Sequence, residues 1–351
     1  MPLTLYVDHA RWRDHLASVL AAEPDLVPVA KGNGYGFTVA GLARTAADLG
    51  VDCLAVGTVE DAATALPLFS GDLLVLGNPD DAYTDICGHT PMSADLRDRV
   101  VFTVESLAAA QRLAGRRIVV DCRTSLRRQG VDTSELGELR HVLGPRTVEG
   151  FTLHLPIDRP HRSDPREETT AWMRALIKAG FDVPTMYVSH LDALETAALT
   201  SEFPGTRFRP RVGTRLWLGD KQALRAAATV HQLIPVRRGE RLGYRQERCA
   251  HDGWLVVVSG GTAHGVGLEA PKTLRGVRPR IRSMARSGLA AANRVRSPFR
   301  WEGRKQWFAE PPHMLVSMLL LPRHVEPPWP GAELTAELRH TATVFDRVVP
   351  V

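Results

Sequence analysis

Val27-Pro28-Val29-Ala30-Lys31-Gly32-Asn33-Gly34-Tyr35-Gly36-Phe37 is the stretch on which the fold turns. Its valine-rich start reads as a buried parallel strand. The strand ends in a single lysine. The Gly/Asn cluster behind it stops the strand and permits close backbone approach to whatever lies above. From residue 37 to 49 the apolar spacing turns helical, through Val39, Leu42, Ala43, Ala46 and Leu49. Lys31 thus stands at the C-terminal end of a strand, facing a loop, where an α/β barrel projects its working side chains. A buried ammonium is costly, so its pKa should fall, and the neutral amine is then a nucleophile toward carbonyls. The chemistry this suggests is a Schiff base with an aldehyde cofactor. The competing reading is a lysine that snorkels out of a strand end.

The same beat continues along the chain. Strand-like runs recur at 26–31, 53–57, 73–77, 100–104, 117–122, 148–155, 185–191 and 207–213, with Ala/Leu-rich helical patterns between most of them, as at 59–68, 106–113, 167–179 and 194–202. Eight strands alternating with helices predict an α/β fold, a (β/α)8 TIM barrel, with a doubly wound sheet as the competing arrangement. After Gly219 the beat changes. Runs at 228–236, 254–259, 313–321 and 341–349 are β-like, and Gly and Pro are frequent, which predicts a β-rich C-terminal domain. The expected domains are therefore 1–220 and 221–351, with residues 3–7 as a strand that could join the second.

At 351 residues the chain suits one barrel plus a smaller domain. Apolar residues make up 44% and charged residues 24%, as in a soluble globular protein. Cys53, Cys87, Cys122 and Cys249 form no CxxC pair, so reduced thiols in a cytoplasmic protein are expected, without a disulfide frame or a metal site. No apolar run is long enough for a membrane span, and no secretory signal pattern opens the chain. The net charge of +5 is unevenly placed: residues 272–305 hold eleven Lys/Arg and one acid, Glu302. That segment reads as a solvated loop, or as arginines reaching an anionic ligand across a dimer interface. With only Phe299 and Trp301 for stacking, it argues against a nucleic-acid platform.

The run Val29-x-Lys31-x-Asn33-x-Tyr35-Gly36 resembles the signature of the alanine racemase family, the fold-type III enzymes that use pyridoxal 5'-phosphate (PLP). The resemblance implies that Lys31 forms the Schiff base and that Tyr35 binds the cofactor phosphate. His154 ends an apolar strand and matches the family's ring-stacking histidine. His190 matches a histidine after the seventh strand, where the family's phosphate-binding serine is replaced by Asp192-Ala193-Leu194 and Ser189 is the nearest substitute. Arg209-Pro210-Arg211-Val212-Gly213-Thr214 resembles the family's Arg-x-Gly motif, putting Arg211 on the pyridine nitrogen and Gly213 and Thr214 at the phosphate. Arginine does not give up its proton, so the ring stays a weak electron sink, which suits racemisation better than transamination. Arg128, with Arg127 second, matches the arginine near the substrate carboxylate. Its turn is two residues longer than the family's, and Val119 stands where many members carry a carbamylated lysine.

Racemisation needs an acid–base group on each face of Cα. The family's second group is a tyrosine of the partner subunit, in a run like Gly-Tyr-x-Asp-Gly. Here Gly261 or Thr262 falls at that place, and His264 is the nearby side chain with a useful pKa. The expected function is a PLP-dependent racemase or epimerase with Lys31 and His264 as its catalytic pair, acting on an amino acid as a homodimer with shared active sites. The alternatives are a PLP lyase, dehydratase or decarboxylase of the same fold, or a PLP-binding protein without turnover.

Overall fold

The computed structural model describes residues 2–77, 98–158, 164–268 and 295–351, which form two compact units, Arg13–Gly219 and Met1–Trp12 with Asp220–Val351. The first unit is a closed barrel of eight parallel strands. These are β2 (Val27–Ala30), β3 (Cys53–Val56), β4 (Asp72–Val75), β5 (Val100–Val104), β6 (Arg117–Cys122), β7 (Gly150–His154), β8 (Thr185–Ser189) and β9 (Arg207–Val212). The ring closes where Val27 pairs with Arg211 and Pro28 with Val212. This is the expected TIM barrel.

Both faces of these strands are covered, so their sequences read as nearly unbroken apolar runs. Val27, Val29, Cys53, Ala55, Leu74, Val101, Val119 and Tyr187 pack together as one cluster. Full burial of each Val or Leu contributes about 1.5–3 kcal/mol. At the barrel's N-terminal end Arg209 pairs with Asp52 and lies 5.9 Å from the centre of the Tyr187 ring. Arg117 binds Asp72 and Glu149, tying β4 and β6 to the entry of β7. Charges at the bottom of a barrel serve stability, and the top is left for loops.

The helices start where the sequence supplies caps. After α1 (His9–Ala22), Thr38 caps α2 (Val39–Asp48), Thr58 caps α3 (Val59–Ala65) and Ser106 caps α4 (Leu107–Arg112). Further on, α5 spans Leu136–Leu143, and Asp164 with Pro165 opens α6 (Pro165–Lys178). Asp192 and Glu195 form a capping box at α7 (Ala193–Glu202). The segment Asp192-Ala193-Leu194 is therefore a helix start.

The second unit holds an eight-stranded sheet in the order β13-β16-β15-β14-β17-β10-β1-β18, with β13 also paired to β10. Its strands are β1 (Leu3–Val7), β10 (Leu224–Val236), β13 (Gly253–Ser259), β14 (Arg296–Trp301), β15 (Arg304–Phe308), β16 (Val316–Pro322), β17 (Glu333–Ala336) and β18 (Arg347–Pro350). A small hairpin, β11 (Arg241–Leu242) with β12 (Glu247–Arg248), stands apart. β1 runs antiparallel to β10 and parallel to β18.

The basic segment needs a correction. Its last part is no loop: Arg300 and Lys305 face each other across the β14–β15 hairpin and both pair with Glu337. The rest of it, 272–294, lies outside the described residues. Cys53, Cys122 and Cys249 are buried free thiols, and Cys87 also lies outside the described residues. Among the described residues no helix is long and apolar enough to cross a membrane, and no cluster of metal-binding side chains occurs.

Candidate active site

Lys31 follows Ala30 directly at the end of β2. Its side chain is open to solvent through the barrel mouth, yet crowded by protein. Gly57, after β3, lies so near that a Cβ there would sit 3.1 Å from the Lys31 Cβ. That crowding lowers the lysine's pKa, and the positive charges of Arg211 and Arg128 lower it further. All three causes favour the neutral, nucleophilic amine.

The turn after Lys31 is built from left-handed residues: Gly32, Gly34, Tyr35 and Gly36 all have positive φ. For Tyr35 (φ 56) this is an unusual state held by its surroundings. It buries the ring and brings the phenol against Gly213 at the end of β9. A Cβ at Gly213 would overlap the Tyr35 hydroxyl and lie 2.6 Å from the ring carbon that bears it. Burial pushes the Tyr35 phenol up to about 12, so it stays a neutral donor. Gly213 also caps the short helix α8 (Thr214–Leu218), where Thr214 is exposed. Trp217, fully buried in α8, donates from Nε1 to the Val29 carbonyl at 2.8 Å and fastens this corner to β2. Tyr35, Gly213 and Thr214, far apart in sequence, thus form one corner beside the lysine strand.

On the far side of the barrel, His154 ends β7. Ser189 Oγ lies 2.8 Å from its Nδ1, and the Thr124 hydroxyl donates to its carbonyl at 2.6 Å. Burial, then Arg211, Arg128, His190 and Lys31, push the His154 imidazole down to about 3. It is a neutral plane at any working pH. His190 (φ 62) meets it edge to face, with ring centres 5.3 Å apart. Ser189 is 4% exposed and spent on orienting His154, so it is not the substitute phosphate ligand that its place in the sequence suggests.

Arg211 is held by a bond from its Nη2 to the Leu153 carbonyl at 3.1 Å. Burial brings its pKa down to about 10, Asp121 opposing and Arg128 adding to the fall. It keeps its proton at neutral pH. Arg128 is exposed on the loop after β6. That loop is pinned at its base, where the Val131 N–H donates to the Asp121 carbonyl at 2.8 Å and the Arg123 N–H to the Val131 carbonyl at 2.9 Å. Arg128 lies within this closed loop, and its charge bears on Lys31, His154 and Arg211.

Asp121 is a site residue whose role the sequence did not disclose. It is 6% exposed, and burial pushes it up to about 6 against the pull of Arg211 and Arg128. The available signal was a carboxylate set between the apolar run Ile118-Val119-Val120 and Cys122. A raised carboxyl favours folding while protonated, so that stabilisation is complete below the ordinary Asp range and is lost as pH rises through about 6. Asp121→Asn is therefore expected to raise stability at pH 8, by up to roughly 3 kcal/mol, and to change it little near pH 4. Thermal unfolding at the two pH values checks this; a gain of equal size at both would sink it.

His264 requires a correction. In the second unit it lies in the turn Thr262–His264 and is only 6% exposed. Its Nδ1 accepts from the Gly261 N–H at 3.2 Å, and its Nε2 bonds Asp346 at 3.2 Å. With both ring nitrogens engaged in the interior, His264 holds a turn and is unsuited to proton transfer.

The barrel residues fit PLP. Arg211 Nε and Thr152 Oγ1 are buried without a hydrogen-bond partner among the described residues. A buried N–H left unpaired is a standing cost, which an aromatic ring nitrogen would relieve. The bare Gly213 backbone under the Tyr35 hydroxyl leaves room that any side chain would fill.

Fold and site together define an alanine racemase-like protein, a (β/α)8 barrel with a β-rich second unit. The family profile "Alanine racemase, N-terminal domain" matches residues 8–189, and the chain belongs to the alanine racemase family. Solved structures agree on the fold. Alanine racemase from Bartonella henselae, solved with covalently bound pyridoxal phosphate, is 15% identical with a TM-score of 0.69, covering 100% of both chains. Alanine racemase from Corynebacterium glutamicum is 19% identical with a TM-score of 0.66, covering 99% of both. That of Clostridium difficile 630 is 15% identical with a TM-score of 0.66, covering 96% of this chain and 87% of its own. No curated protein sequence matches the chain.

Proposed function

We propose that the protein is a PLP-dependent racemase or epimerase that inverts an amino acid at Cα. The observation that carries this is Arg211, a buried guanidinium that keeps its proton and has an unpaired Nε. When bound, PLP supplies an electron sink that acidifies the Cα proton. A cationic donor on the ring nitrogen limits that sink, so a proton is returned to Cα in preference to being lost to other chemistry. Lys31 holds the cofactor and moves the proton on one face. The Tyr35 hydroxyl, Gly213 and Thr214 hold the phosphate, and His154, neutral and fixed by Ser189, supports the ring with His190 beside it. Arg128 takes the substrate carboxylate. The chain works as a homodimer with shared sites, and three buried reduced thiols are in keeping with a cytoplasmic setting.

The test is incubation of the PLP-loaded protein with single amino acids in heavy water, with Cα–H exchange and chirality followed by NMR. Inversion of at least one amino acid is expected. Release of ammonia or CO2 would instead assign a lyase or decarboxylase, and bound cofactor without exchange would reduce the protein to a PLP binder. Sedimentation should give the mass of two chains.

A further inference from the structure

Glu168, in the first turn of α6, grips the loop that carries Arg128. Its carboxylate accepts two hydrogen bonds from a single residue, the Ser125 N–H at 2.5 Å and the Ser125 hydroxyl at 2.8 Å. Hydrogen bonds to an ionised acceptor are about twice as strong as neutral ones. The base of this grip is firm. Pro165, Thr169 and Trp172 of the same helix are buried, and the Thr169 hydroxyl donates to the Pro165 carbonyl at 2.8 Å. A side chain on a packed helix is placed more precisely than one on a loop.

The gripped loop has a defined shape. The Arg127 N–H donates to the Thr124 carbonyl at 2.9 Å, closing a turn in which Arg127 has φ 52. A left-handed arginine is uncommon and persists only where its surroundings hold it. The Thr124 hydroxyl ties one side of that turn to the His154 carbonyl, and Ser125, the next residue, ties it to α6. Gly130 (φ +116) returns so close to β6 that a Cβ there would lie 2.7 Å from the Arg123 nitrogen. Beneath, Val119 is fully buried in the barrel's apolar cluster, and its side chain has no polar atom to offer Arg128. Because the Glu168 carboxylate is spent on the uncharged Ser125, it fixes the loop without neutralising the guanidinium that the loop presents.

We infer that Glu168 is the positioning residue for Arg128: by clasping Ser125 it holds the loop in the one arrangement that presents the guanidinium to a substrate carboxylate. The inference rests on the reading above in which Arg128 takes that carboxylate. Glu168 touches neither cofactor nor substrate, so it acts on substrate affinity through Arg128 and leaves the proton transfers at Lys31 alone. Without the clasp, the left-handed turn at Arg127 relaxes and Arg128 samples positions from which a fork-like grip on a carboxylate is lost.

The experiment uses the full chain. In the PLP-loaded protein, Glu168→Ala should raise KM for the amino acid ~10-fold, the scale of losing a hydrogen bond to a charged group, with kcat within about twofold of wild type. Glu168→Gln, which keeps one acceptor oxygen, should recover part of that loss. An unchanged KM, or a loss confined to kcat, overturns the inference. In an Arg128→Ala background the same Glu168→Ala change should alter KM by less than about twofold, since residues that act through one another are not additive. An equal cost in both backgrounds overturns it too. A readout free of turnover is amide hydrogen exchange of the protein without PLP. Exchange at Ser125 should quicken at least ~10-fold in Glu168→Ala, as a locally opened segment does; equal rates overturn the clasp itself. If wild type binds no PLP or exchanges no Cα proton, or if Arg128→Ala leaves KM unchanged, the parent reading has failed. If those hold and Glu168→Ala matches wild type, only this inference has.

Discussion

Lys31→Ala is expected to abolish the absorbance of lysine-bound PLP and to lower turnover by at least ~1,000-fold, the scale of losing both a covalent anchor and a proton carrier. The expectation is sharp because so few lysines exist. The chain has five, and only Lys31 and Lys178 belong to the barrel unit. Lys178 is exposed in the last turn of α6. Lys31 alone combines a strand-end position with crowding and two neighbouring guanidinium charges that favour its neutral form. Titration of wild type and variant with PLP, followed by borohydride reduction and peptide mapping, checks the assignment. A reduced adduct on any other lysine would refute it.

Gly213→Val should weaken PLP binding by a factor of 100 or more, equivalent to roughly 3 kcal/mol. The first atom added at this position meets the Tyr35 phenol. Tyr35 cannot yield cheaply, because its ring is 8% exposed and its backbone is fixed at φ 56 between glycines. The substitution fills the phosphate corner and displaces the donor that lines it. Tyr35→Phe in the same background separates the two effects. Removing the hydroxyl relieves part of the overlap but also removes a hydrogen bond, so the double variant should regain only part of the lost affinity. Fluorescence titration with PLP measures both. An unchanged Kd for Gly213→Val would mean that the phosphate sits elsewhere.

Much of the barrel was legible in the sequence because local pattern and final burial coincide there. Strands covered on both faces must be apolar throughout, and their ends are marked by Gly, Asn or a capping Thr, Ser or Asp. Two of the eight expected runs, 100–104 and 117–122, coincide with β5 and β6. The strand-end residues Lys31, His154 and Arg211 follow from the same pattern, since a barrel gathers the ends of its strands on one rim. The second unit was harder to read. β14, β15 and β17 are short, and the first two alternate arginine and lysine with buried Ser297, Phe299 and Gln306, so charge concealed a hairpin.

By itself the sequence determined the barrel, the lysine at its rim and the glycine-rich turn behind it, because each depends on neighbours within a few residues. Only the tertiary structure decided how the polar groups were employed. It turned Ser189 toward His154, raised Asp121 between two arginines and closed His264 into the interior. The physical reason is that a side chain's protonation and availability depend on which distant groups share its burial, and no local spacing records that.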